Sequence, residues 1–153
     1  MKYVNRNGSE REDDDPVTAQ VIGLAIEVQK ELGTGFLESI YHRALEIELA
    51  EVGLAFVSEA PLVVKYKNRV LGTFAADMII DGKLLIELKA VDILPLSSEL
   101  QVVNYLKAAR LDVGLILNFG AVPLQIKRKY RNPPPIDPNL RLHEDNGCPS
   151  YHS

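Results

Sequence analysis

Val70-Leu71-Gly72-Thr73-Phe74-Ala75-Ala76-Asp77-Met78-Ile79-Ile80, then Asp81-Gly82-Lys83, then Leu84-Leu85-Ile86-Glu87-Leu88-Lys89-Ala90-Val91, reads as two strands joined at a turn. The parity of this stretch decides how it folds. Phe74, Ala76, Met78 and Ile80 are apolar at even positions, and so are Leu84, Ile86, Leu88 and Ala90. One continuous apolar face results only if even residues pair with even. Asp-Gly ordinarily signals a two-residue turn, which pairs odd with even and splits that face. The stretch therefore predicts a three-residue loop or a bulge, with Gly82 left-handed.

The same register puts Asp77, Glu87 and Lys89 together on the opposite face, with Asp77 beside Glu87 or diagonal to it. Two carboxylates a few ångströms apart repel, and they take up a cation or share a proton. Two hard oxygen donors and a lysine suit Mg²⁺ bound to a phosphate. A solvent-facing strand pair carrying a Lys-Glu ion pair explains the triplet as well. Ile79 and Leu85 flank the charges on this face, and burial of unpaired charge among apolar neighbours is costly.

On the N-terminal side, Asp15-Pro16 forms a helix start, with Val17, Val21, Leu24, Ala25, Val28 and Leu32 at helical spacing before Gly33 and Gly35. A second helix is expected from about Leu37 to Val52, ended by Gly53. Phe56 to Tyr66 reads as a strand broken by Pro61, hence irregular or at an edge. On the C-terminal side, Ser98 and Gln101 after Pro95 form a capping-box signature for a third helix reaching about Arg110. Val113 to Phe119 is a continuous apolar strand, and Leu124 to Tyr130 alternates. The order α-α-β-β-β-α-β-β predicts an α/β fold, a mixed sheet with helices packed on it. Residues 1–15 read as a disordered acidic segment and 132–153 as a proline-rich tail, leaving 16–131 as one domain.

The chain has 153 residues and a net charge of −4, and the two ends carry all of that excess. The central 16–131 segment is neutral, which argues against nucleic-acid binding by bulk charge. A local basic patch remains at Lys127, Arg128, Lys129 and Arg131; charge that protects an edge strand accounts for it equally. No apolar run is long enough to span a membrane, and the polar N-terminus does not read as a signal peptide, so a cytoplasmic location is expected. The lone Cys148 offers neither a disulfide framework nor a paired catalytic thiol. Gly33-Thr34-Gly35 follows a helix and is no dinucleotide loop. His42 and Glu46 stand at i, i+4 but find no third ligand in sequence reach, and read as a solvated helix face. The edge strand near Leu124 leaves room for a homodimer or another protein partner.

Three motifs resemble known families. Gly35-Phe36-Leu37-Glu38-Ser39-Ile40-Tyr41 is similar to the Gly-x-x-Glu-x-x-Tyr signature of the GxxExxY proteins. Asp77 with Glu87-Leu88-Lys89 resembles the Asp…Glu-x-Lys core of the PD-(D/E)XK nuclease superfamily, to which the GxxExxY proteins are assigned. Gln101 to Tyr105 resembles the Gln-x-x-x-Tyr motif of its exonuclease-like branches. Ala76 stands where many members have proline. The resemblance implies a restriction-endonuclease-like mixed sheet and a Mg²⁺-dependent nuclease, Mn²⁺ being a possible substitute, acting on nucleic acid and foremost on DNA. It implies Asp77, Glu87 and Lys89 as catalytic residues. Asp77, Glu87 and the Leu88 carbonyl would hold the metal, with Glu38 completing the shell. Gln101, Tyr105, Lys127 and Lys129 would contact nucleic acid. For Tyr41 and Tyr105 core packing is the plain alternative; for Glu38 it is a helix-dipole contact, and for Gln101 the cap. The alternative for the whole chain is a non-catalytic nucleic-acid-binding or protein-interaction module on a nuclease-like scaffold.

Overall fold

The computed structural model describes residues 15–132; the expected acidic segment and proline-rich tail lie, apart from Asp15 and Asn132, outside the described residues. Helices α1 (Pro16–Leu32) and α2 (Glu38–Glu51) precede strands β1 (Phe56–Tyr66), β2 (Arg69–Ile80) and β3 (Leu84–Lys89). Helix α3 (Leu96–Ala109) then leads to β4 (Val113–Asn118) and β5 (Gln125–Tyr130). The strands form one sheet in the order β1-β2-β3-β4-β5. β3 and β4 run parallel and the other neighbours antiparallel. The expected α/β architecture is therefore what the chain adopts. No helix among the described residues is long and apolar enough to cross a membrane.

Three layers follow from the apolar pattern. β3 and β4 are apolar on both faces, as central strands covered on each side must be. Val21, Ala25 and Val28 of α1 and Tyr41, Leu45 and Leu49 of α2 pack on one face against Met78, Ile80, Ile86, Leu88, Leu115 and Leu117. Val102 and Leu106 of α3 cover the other face, against Leu85 and Ile116. Asp15 caps α1, its carboxylate accepting from Val17 N–H at 3.2 Å. Lys83 in the hairpin turn reaches the same carboxylate at 3.1 Å, which ties the turn to α1.

The hairpin register matches the parity reading: Met78 pairs with Ile86, Ile79 with Leu85 and Ile80 with Leu84. Three residues make the turn, and Asp81 and Gly82 both take positive φ, 54° and 65°. One part of the expectation fails. The even residues of β2 do not form one face: Met78 and Ile80 join the α1/α2 core, whereas Ala76 packs in the α3 core. Phe74 meets Tyr105 of α3. The cause is a kink in the β1–β2 ribbon. Its regular pairing skips Glu59 and Asp77, and Glu59 adopts φ 51°. Side-chain parity counts only along a strand that stays in its ladder, and here the ladder is interrupted at Asp77.

The capping box also fails. Pro95, extended at φ −70° and ψ 144°, precedes the first helical residue, Leu96. Ser98 is thus already inside the first turn, and Gln101 is exposed and caps nothing. The proline's fixed φ starts the helix earlier than the side-chain signal suggested. β1 is an edge strand, as Pro61 implied, and β5 forms the other edge, although Leu124 itself is buried in the core.

Candidate active site

At Asp77 the β2–β3 ladder gives way to side-chain bonds. Backbone pairing stops at Met78–Ile86. Beyond it Asp77 N–H donates to Glu87 Oε1 at 3.2 Å, and Leu88 N–H donates to Asp77 Oδ2 at 2.7 Å. Each carboxylate thus satisfies a backbone donor that the diverging strands would leave open. The two acids are fixed side by side with lone pairs to spare.

The electrostatics are those of crowded acids. Glu87 is only 6% exposed. Its carboxyl is pushed up to about 8, first by burial and then by the Asp77 charge, with Lys89 opposing. Glu38 is raised too, again by burial first and by Asp77 second. Lys89 and His42 pull it the other way. Three carboxylates therefore converge with one lysine at the junction of α2, β2 and β3. Burial and the Glu87 and Asp77 charges also raise the Tyr105 hydroxyl, so α3 faces the same cluster.

The loop before α2 explains how Glu38 arrives there. Gly35 adopts φ 104°, a backbone that favours glycine. Tyr41, fully buried, donates its hydroxyl to the Gly33 carbonyl at 2.7 Å and accepts from Phe36 N–H at 3.3 Å. Its ring stacks on Phe119, centroids 4.6 Å apart. Tyr41 thus pins the α1–α2 loop, and Glu38 follows as the first residue of α2. The plain alternative, core packing with a satisfied hydroxyl, describes Tyr41.

Lys89 is held from behind. Asn118, fully buried and level with Lys89 across β3–β4, accepts from Val91 N–H and donates to Val91 C=O, both at 3.0 Å. Its side chain also accepts from Gly120 N–H at 3.0 Å. A Cβ at Gly120 would collide with the Val91 backbone. This clasp fixes the chain two residues beyond Lys89.

Sequence reasoning missed His42 and Glu59. One ligand atom each from His42, Glu59 and Asp77 lies within 4.8 Å of the others. His42 is mostly buried, not on a solvated face. Ser58 Oγ donates to Glu46 Oε2 at 3.1 Å and stands 3.2 Å from His42 Nε2. The tautomer that carries its proton on Nε2 donates to Ser58 Oγ and leaves the Nδ1 lone pair on the side of Glu59, 4.0 Å from Oε1. The partners of His42 in this cluster come from β1 and β2 and not from Glu46, so the i, i+4 spacing pointed to His42 but to neither of them.

The donor types suit a divalent cation: His42, Glu59 and Asp77 would offer it one imidazole nitrogen and two carboxylate oxygens. The basic strand is less favourably placed. Lys129 is ion-paired to Glu99, Arg131 holds Asp112 at 2.6 Å, and Arg128 is engaged as well. Lys127 is exposed, in the same cross-strand row as Glu87 but two strands away, roughly 10 Å.

A profile of the PD-(D/E)XK nuclease superfamily matches residues 15–129. The chain belongs to the PD-(D/E)XK nuclease superfamily. The matched span covers all three helices and all but the last residue of β5. Membership accounts for the mixed sheet and supports a nuclease-like function in general terms. No curated protein and no solved structure matches the chain.

Proposed function

We propose that this PD-(D/E)XK protein is a metal-dependent nuclease that hydrolyses phosphodiester bonds in nucleic acid, with DNA as the foremost substrate. The interlocked Asp77 and Glu87, the Glu87 carboxylate accepting from Asp77 N–H and the Asp77 carboxylate from Leu88 N–H, with Glu38 and Lys89 alongside, carry this reading. Asp77, Glu87 and the Leu88 carbonyl would hold Mg²⁺ or Mn²⁺, and Glu38 would complete the shell. His42 and Glu59 border Asp77 on the α2 and β1 side and extend the donor set. When bound, the ion supplies Lewis acidity and a water of lowered pKa. Lys89 orients the attacking water and stabilises charge developing on the phosphate. Hydrolysis would form one P–O bond to a water oxygen and break one P–O ester bond, the water giving up a proton to solvent and the leaving alkoxide taking one from solvent. Within the superfamily, the Gly35, Glu38 and Tyr41 arrangement supports assignment to the GxxExxY proteins.

The test is cleavage of single- and double-stranded DNA and RNA by wild type, Asp77→Ala and Lys89→Ala, with Mg²⁺, with Mn²⁺ and with chelator. Metal-dependent cleavage should fall at least 100-fold in both variants; Lys89→Ala should melt like wild type, and Asp77→Ala, which orphans the Leu88 N–H, should still be folded at the assay temperature. Cleavage that survives both substitutions defeats the assignment. A folded wild type that cleaves nothing transfers the case to the binding-module alternative.

A further inference from the structure

A groove of about 1130 Å³ runs between the β1–β2 ribbon and α3. Ile79, two residues from Asp77 on the same strand, lies in its wall, so the groove opens beside the carboxylates. Three features define its chemistry. Phe74, 46% exposed, packs against Tyr105 in its wall, centroids 5.8 Å apart and tilted by 39°, so the pair presents one aromatic surface to the groove. Lys65, Lys107 and Arg110 line it, all exposed, and no acidic residue among the described ones does, although the chain as a whole is acidic. Gln101 and Asn104, one helical turn around Tyr105, add amide donors and acceptors.

We infer that this groove binds a single-stranded stretch of nucleic acid, a base stacking at Phe74 and Tyr105 and the backbone following Lys65, Lys107 and Arg110. The inference rests on the nuclease reading and names its substrate class. Aromatic rings on a cationic track are the general solution for unpaired strands, because every base has a stackable face. In a duplex those faces are already covered. The groove holds a few nucleotides and not a double helix. Its lack of carboxylates matches a polyanion, and its aromatic pair matches one that carries flat, unstacked bases.

The experiment is fluorescence anisotropy with labelled oligonucleotides, single-stranded and blunt duplex, in chelator so that nothing is cut. Single strands should bind at least tenfold more tightly. Phe74→Ala should weaken that binding about tenfold, the worth of one stacked base. Lys107→Glu and Lys65→Glu should weaken it and flatten its salt dependence, whose log–log slope should be about −2 for three phosphate contacts. All three side chains are exposed or half-exposed, and thermal melting verifies that each variant folds. Equal affinity for duplex, binding indifferent to Phe74→Ala and both charge reversals, or equal competition by polyglutamate overturns the groove. The nuclease reading fails separately: selective single-strand binding without metal-dependent cleavage supports the groove and removes the hydrolysis.

Discussion

Glu87 shows at the scale of one residue what the fold imposes. Its carboxyl sits at about 8 in the folded chain against 4.5 ordinarily, because it is buried and beside Asp77. Between those values the folded state keeps a proton that the unfolded state has released. The unfolded state then binds fewer protons, so stability falls as pH rises from about 4.5 to about 8. Glu38, raised for the same reasons, acts in the same direction. Denaturant titrations in chelator should therefore show the protein more stable at pH 5 than at pH 8. Glu87→Gln should flatten that slope. A metal-free protein that gains stability over this interval would contradict the crowding of these acids.

Among elements, the loop that leaves β3 controls where Lys89 points. Asn118 gives both backbone groups of Val91 a partner, and Gly120 lets the two segments touch. Asn118→Ala removes the partner of a half-buried N–H and of a half-buried C=O, each loss costing about 1–2 kcal/mol. Urea melts should show a loss of about 2–4 kcal/mol, and Gly120→Ala should cost a similar amount. Both variants should lose cleavage at temperatures where they remain folded, since the Val91 segment then releases Lys89. Full activity in folded Gly120→Ala would separate this clasp from the site. Gly114 has a related packing role on the α3 face. A Cβ there meets Val102 Cγ1 at 3.0 Å, which is why α3 can lie flat over β4.

For the whole molecule, the proposed cation and the fold would stabilise each other. Helix α2 and strands β1, β2 and β3 each carry a ligand candidate of the proposed site, so an ion held there would bridge several elements. Anything bound by the native state alone raises the melting temperature as its concentration rises. Mg²⁺ and Mn²⁺ should both do so, and Asp77→Asn should abolish both shifts. His42→Ala should reduce the Mn²⁺ shift more than the Mg²⁺ shift, because imidazole suits a transition metal better than Mg²⁺. Equal loss for the two ions would take His42 out of the donor set.

Local rules reached far into this chain. Element order, the α1 cap at Asp15, the odd loop at Asp81-Gly82-Lys83 and the meeting of Asp77 with Glu87 all follow from spacing, parity and turn chemistry. Each of these acts within one strand pair or one helical turn. Other features were not legible because they depend on contacts between residues distant in sequence. The kink at Glu59 and Asp77 sends Ala76 and Phe74 to the α3 side. It thereby puts into the groove wall Phe74, which alternation assigns to the other core. His42 gains Ser58 and Glu59 from β1 only after α2 docks, and Lys129 loses its free charge to Glu99 of α3. Periodicity specifies which way a side chain points along a regular element. Where the elements bend, and what faces them across the sheet, depends on packing that couples the whole domain.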